Sequence, residues 1–143
     1  MSKKFISVSE PRLSNKTKKY VLDCIKSEWI SSSGSYLEKF EKKWAKYCDQ
    51  KYAVSVTSGT AALIVALKAL NLKPGDEVIM PSFTIISCAI AVLEAGAKPV
   101  LVDCDLETWC MKIDEVKKKI NTRTRVILLV HMFGHPVDVD SIK

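Results

Sequence analysis

Four short apolar runs, each followed by turn residues and a helical stretch, constrain this chain more than any other feature. They are Tyr52–Thr57, Glu77–Met80, Pro99–Val102 and Arg125–Val130. A strand with one face in water alternates apolar and polar residues, whereas continuous apolar runs belong to a parallel sheet covered by helices on both faces. The stretches between them read as helices over Ala61–Leu70, Thr84–Glu94 and Ile113–Ile120. Lys73-Pro-Gly-Asp76 marks a turn, Pro81 ends the second run, and Gly96 is placed to close the helix before it. The expected fold class is therefore α/β, with a mostly parallel sheet and its βα units carried by residues 51–143.

The first 50 residues have another texture. Ser14 precedes Val21, Leu22 and Ile25 on one helical face, giving an amphipathic helix that ends near Trp29, and Ile30-Ser-Ser-Ser-Gly34 breaks it. Tyr36, Leu37, Phe40, Trp44 and Tyr47 then recur at helical spacing, as core or interface positions of a second helix reaching about Cys48. A length of 143 residues suits one domain, or part of one. Asp138 near the end reads as the cap of a helical first turn.

Composition narrows the function classes. No apolar stretch is long enough to cross a bilayer, and the start, Met1 to Val8, lacks the apolar core of a secretory leader, so a soluble cytoplasmic protein is expected. Five cysteines form an odd set without a CxxC pair, which favours buried free thiols. The net charge is +6, yet its only clusters, Lys16-Thr-Lys-Lys19 and Lys117-Lys-Lys119, lie on helices with solvated faces. That pattern argues against nucleic acid and leaves an anionic small molecule as the favoured ligand class.

In open α/β sheets ligands bind beyond the carboxyl ends of the strands. Four places qualify. Thr57-Ser58-Gly59-Thr60 puts hydroxyls and a glycine at a helix amino terminus, where free N–H groups and the helix dipole favour a phosphate, although Ser and Thr are also ordinary caps. Pro81-Ser-Phe83-Thr84 sets Phe83 beside a strand end, as a core residue or a stacking platform. Asp103-Cys-Asp105 offers two carboxylates, as an acid–base pair or as a turn. His131-Met-Phe-Gly-His135-Pro136 holds both histidines, without a third ligand at metal spacing, so no metal site is expected.

The ordered motifs SGTAAL (Ser58–Leu63), KPGDEVIMPSFT (Lys73–Thr84), GAKPVLVDCD (Gly96–Asp105) and VHMFGHPVDVD (Val130–Asp140), preceded by WISSSG and FEKKWAKY, resemble the DegT/DnrJ/EryC1/StrS family of sugar aminotransferases. The resemblance runs from Ile6 to Lys143. It implies the amino-terminal part of a fold-type-I aminotransferase large domain, with pyridoxal 5'-phosphate as cofactor. WISSSG, Glu107-Thr-Trp-Cys110 and GHPVDVD look most like members that aminate C4 of a GDP-linked 4-keto-6-deoxymannose with glutamate as donor.

By the same resemblance Ser58, Gly59 and Thr60 hold the cofactor phosphate, Phe83 and Ile85 lie at its ring, and Ser31, Ser32, Ser33, Gly34 and His131 lie near the sugar. Two positions depart from the family pattern. Ile85 stands where an aromatic usually stacks on the pyridine ring, which leaves apolar contact instead, and Ile90 stands where asparagine is common. The Schiff-base lysine and the carboxylate for the pyridine nitrogen are implied to lie beyond Lys143, with Lys68, Lys73 and Lys98 on helix faces or turns. Hence no catalytic residue is assigned here, the 143-residue chain alone is expected to be inactive, and a homodimer is expected to close the complete site. The alternative is a non-catalytic phosphate-binding or partner subunit.

Overall fold

The computed structural model describes residues 5–143, so Met1–Lys4, part of the stretch read for a leader, lie outside the described residues. The chain divides into two compact units, Met1–Ser55 and Val56–Lys143.

In the first unit, α1 spans Asn15–Lys26 and α2 spans Ser35–Tyr47. Ser14 caps α1 as expected, its Oγ accepting the Thr17 N–H at 3.1 Å. The helix stops short of Trp29 because Glu28 turns into the left-handed region at φ 60°, with the Ser27 N–H closing on the Asp23 carbonyl at 2.9 Å. The aromatic ladder exists, with ring centroids 5.0 Å apart for Tyr20 and Tyr36 and 5.9 Å for Phe40 and Trp44. It is not a core, however. Among the described residues of this unit only Ala45 is buried, while Phe40, Trp44 and Tyr47 are exposed. Two short helices cover one stripe of each other, too little to enclose so much aromatic surface.

The second unit contains α3 (Gly59–Ala69), β1 (Glu77–Pro81), α4 (Ser87–Glu94), β2 (Lys98–Val102), α5 (Ile113–Lys119) and β3 (Thr124–Ile127). The strands form a parallel sheet in the order β2-β1-β3. From β1 the chain moves one way to β2 through α4, then back across β1 to β3 through α5. Connections of one hand running in opposite directions put their helices on opposite faces. The core shows this. Val78 and Met80 pack with Leu67, Cys88, Ala91 and Val92 of α3 and α4, while Ile79 packs with Val102 and with Val116 of α5. β1 is buried along its whole length, and each large apolar side chain so enclosed contributes about 1.5–3 kcal/mol.

Two strand expectations need correction. Tyr52–Thr57 forms no strand, because none of the three strands of the sheet pairs with it, and Val54 is exposed. The last run is regular only to Ile127. One more rung follows, from the Leu128 N–H to the Ile79 carbonyl at 2.8 Å, and Pro81 has no N–H to extend the ladder. Helix α4 begins at Ser87 rather than Thr84. Its end is as expected: Gly96 adopts φ +79°, and the N–H groups of Gly96 and Ala97 return to the carbonyls of Leu93 and Val92.

At the amino end of β1, the buried Glu77 carboxylate accepts hydrogen bonds from Asn121 Nδ2 at 2.8 Å and Arg123 Nε at 3.0 Å. The Asn121 hydrogen bond, helped by the charges of Arg123 and Lys98, lowers its pKa against the opposing effect of burial. Lys98 is the first residue of β2, not part of a turn. All five cysteines are free, but only Cys88 and Cys110 are buried; Cys24 and Cys104 are half-buried and Cys48 is exposed. Among the described residues no helix is long and apolar enough to cross a membrane.

Candidate functional site

The amino terminus of α3 is the candidate anion site of the second unit. Ser58 is extended at φ −160° and ψ 164°, and its Oγ accepts the Ala61 N–H at 3.2 Å while its carbonyl accepts the Ala62 N–H at 3.0 Å. The first bond satisfies one of the orphan donors of the first turn, and the second starts the helical ladder. Among the described residues, no hydrogen bond takes up the N–H groups of Gly59 or Thr60. A Cβ built on Gly59 meets nothing within 4 Å, so the chain is uncrowded at that position. The first turn of α3 also carries no acidic residue, unlike that of α2 with Glu38 or α5 with Asp114 and Glu115. The positive end of the α3 dipole is thus left for a ligand.

A second helix terminus meets the first. The Thr60 hydroxyl donates to the Ser87 hydroxyl at 2.8 Å, tying α3 to the first residue of α4, whose first turn is likewise free of acids. Because α4 follows β1, this bond holds the anion site at the carboxyl end of the central strand. Ser87 escaped the reading of the sequence because the helix was started at Thr84, which made it one interior serine among apolar residues. Its signal was the change from Phe83-Thr-Ile-Ile86 to small residues at Ser87-Cys-Ala89.

The other expected residues separate into groups. Phe83 and Ile85 lie on the link between β1 and α4, hence at the same strand end. Phe83 packs against Trp109 with centroids 5.1 Å apart, and Ile85 is exposed over two thirds of its surface, at 66%. His131 follows β3, and its Nδ1 accepts the Val137 N–H at 3.0 Å, so a neutral imidazole carries its proton on Nε2. Ser31, Ser32, Ser33 and Gly34 belong to the first unit. There Ser31 Oγ accepts the Ser33 N–H at 3.2 Å, and the loop lines a cleft with Asp23, Trp29 and Tyr36.

The carboxylates of Asp103-Cys-Asp105 resolve as turn formers. Asp105 Oδ1 accepts the N–H groups of Glu107 at 3.0 Å and Thr108 at 2.9 Å, and these backbone bonds, that of Thr108 first, lower its pKa. Asp103 accepts from the Cys104 N–H at 2.8 Å and faces Lys112 at 3.6 Å. Asp138 likewise caps a turn, accepting the Ser141 N–H at 3.2 Å.

The cofactor implied by the motifs ends in a phosphate, and the residues present fit that end: two uncommitted N–H groups, paired hydroxyls, an uncrowded glycine and no opposing carboxylate in either first turn. Comparison with known proteins points the same way. GDP-perosamine synthase of Escherichia coli O157:H7 is 45% identical over 139 residues, which cover 97% of this chain and 38% of that protein. The chain thus spans about two fifths of the length of the GDP-perosamine synthases it matches. Among solved structures, NtdA of Bacillus subtilis with bound cofactor PMP superposes with a TM-score of 0.82 at 35% identity, over 91% of this chain and 31% of that one. A GDP-4-keto-6-deoxymannose-3-dehydratase with a trapped PLP-glutamate geminal diamine gives 0.86 at 27% identity, over 95% and 36%. Residues 11–143 match one family throughout, and the chain belongs to it: the DegT/DnrJ/EryC1/StrS aminotransferase family.

Proposed function

We propose that this chain forms the amino-terminal part of the large domain of an aminotransferase acting on a nucleotide-linked 4-keto-6-deoxysugar, GDP-linked and with glutamate as donor. The observation that carries this reading is the acid-free α3 terminus with its uncommitted Gly59 and Thr60 N–H groups, in a chain 45% identical to a GDP-perosamine synthase. When bound, pyridoxal phosphate supplies the electron sink that lets an amino group pass between donor and sugar.

This chain's own residues bind and orient. Ser58 shapes the first turn of α3, while Gly59 and Thr60 direct their N–H groups to the phosphate. Phe83 and Ile85 cover the ring by apolar contact and keep water off one side. His131, with Nδ1 engaged by Val137, presents Nε2–H as a donor toward the substrate. Ser31 to Gly34 contact the sugar or its phosphates in the assembled enzyme, a homodimer. The chemistry also needs an amine, and three lysines of the second unit have other settings. Lys98 lies 3.9 Å from Glu77, Lys118 pairs with Glu115 at 2.9 Å, and Lys119 covers the Leu101 carbonyl on the free edge of β2 at 2.6 Å.

The test is amination followed by mass spectrometry. The protein carrying this chain, given pyridoxal phosphate, glutamate and GDP-4-keto-6-deoxymannose, is expected to yield the 4-amino sugar nucleotide. The 143-residue chain by itself is expected to bind the cofactor's phosphate and yield none. Preference for a dTDP-linked keto-sugar would sink the GDP assignment. Phosphate binding without amination of either sugar would favour a non-catalytic partner subunit, a reading that the exposed Phe40, Trp44 and Tyr47 support.

A further inference from the structure

The direction of one hydrogen bond redistributes roles within the anion site. The Thr60 hydroxyl donates to Ser87 Oγ at 2.8 Å, so its only proton is spent. A hydroxyl has one donor, and a phosphate dianion offers only acceptors. Thr60 therefore meets the phosphate with its backbone N–H and has no hydroxyl proton to give while this bond stands. Ser87 is the other end of the relay. Its oxygen accepts from Thr60, and among the described residues its own proton reaches no acceptor. It is half-buried at the first position of α4, where the helix dipole favours negative charge.

The geometry points to Ser87 as the hydroxyl that binds the phosphate, with Thr60 as the positioning residue that orients and polarises it. This rests on the proposed function, because it names a ligand of the same site. Donation from Thr60 holds the Ser87 oxygen in place, makes its O–H a better donor, and turns the proton outward. The two helix termini then act on one anion together, α3 through backbone N–H groups and α4 through a hydroxyl.

The test is a double-mutant cycle on the full chain, read by isothermal titration calorimetry. The probes are inorganic phosphate and pyridoxamine 5'-phosphate, which has no aldehyde to condense with surface lysines. Ser87→Ala should weaken both by about tenfold or more, the loss of a hydrogen bond to a charged group. Thr60→Val should weaken them by only about two- to fivefold, because it removes polarisation and leaves the donor. Because Ser87→Ala also releases the Thr60 hydroxyl to turn toward the phosphate, the doubly substituted Thr60→Val/Ser87→Ala chain should bind more weakly than either single variant. Ser87→Thr keeps a hydroxyl and should restore most of the affinity.

A larger loss for Thr60→Val than for Ser87→Ala would overturn the assignment and return the direct contact to Thr60. So would a Ser87→Ala affinity within about twofold of the parent chain. Alanine is favoured in helices, so this variant should fold, and matching urea midpoints would exclude a merely structural loss. The outcomes separate cleanly from the wider reading. A parent chain that binds neither probe sinks the proposed function itself, whereas a parent that binds while Ser87→Ala is unaffected sinks only the role of Ser87.

Discussion

Replacing Ile79 by alanine tests the claim that β1, walled in on both faces, supports the whole site. Ile79 is fully buried, packed with Val102 and Val116 on the α5 side. The change removes three side-chain carbons. At about 0.8 kcal/mol for each, the transfer cost is about 2.4 kcal/mol. A residual cavity between sheet and helix raises it to about 3–4 kcal/mol, inside the range of about 2–5 seen for such truncations. With a urea slope of about 2 kcal/mol/M, the midpoint should fall by about 1.5–2 M. Leu101→Ala is the internal control. That residue lies on the neighbouring strand but is 49% exposed, and its truncation should cost about 1 kcal/mol. Equilibrium urea unfolding followed by far-ultraviolet circular dichroism measures both. Equal costs for the two truncations would refute the picture of β1 as the enclosed centre of the sheet.

Ser58→Ala removes the cap of α3 and should lower stability by about 1 kcal/mol, measurable by urea unfolding, with weaker phosphate binding alongside. Gly96→Ala forces a Cβ into φ +79° at the end of α4 and should cost about 1 kcal/mol in the same assay, although nothing crowds the site. Glu77 has a folded pKa below its ordinary 4.5, so its stabilisation is complete above that value and is lost as the pH falls through the lower folded one. Glu77→Gln should therefore lower the urea midpoint at neutral pH and flatten its decline in acid; an unchanged acid slope would contradict this. Tyr36 donates to Asp23 at 2.9 Å, and this bond raises the phenol to about 12, so its stabilisation is present below 10 and disappears toward 12. In an ultraviolet titration, Asp23→Asn should bring Tyr36 back toward 10.

What could be read from residues alone follows the range of the forces involved. The parallel sheet was legible because enclosure on both faces leaves an unbroken apolar run, as in Glu77–Pro81. Caps were legible too, since Ser14 and Ser58 act on the turn they precede. The strand expected at Tyr52–Thr57 failed because β structure requires a partner, and local composition does not say whether one is present. The aromatic stripe of α2 showed which side is apolar without showing what covers it. The Thr60–Ser87 bond spans 27 positions, and the Glu77 cluster 44 and 46, so neither leaves a local pattern.

The placement of β1 between its neighbours also bears on the order of assembly. Glu77 pairs with Lys98 on one side and Thr124 on the other, so the two closures differ in the chain they must loop, 21 residues against 47. The longer loop costs about 0.7 kcal/mol more in chain entropy. We expect β1, α4 and β2 to dock first and β3 to join an edge already made; pulse-labelled hydrogen exchange protecting β3 first would exclude that order. On this route the link bearing Phe83 and Ile85 and the start of α4 at Ser87 are set early, and His131 is placed only with the last strand.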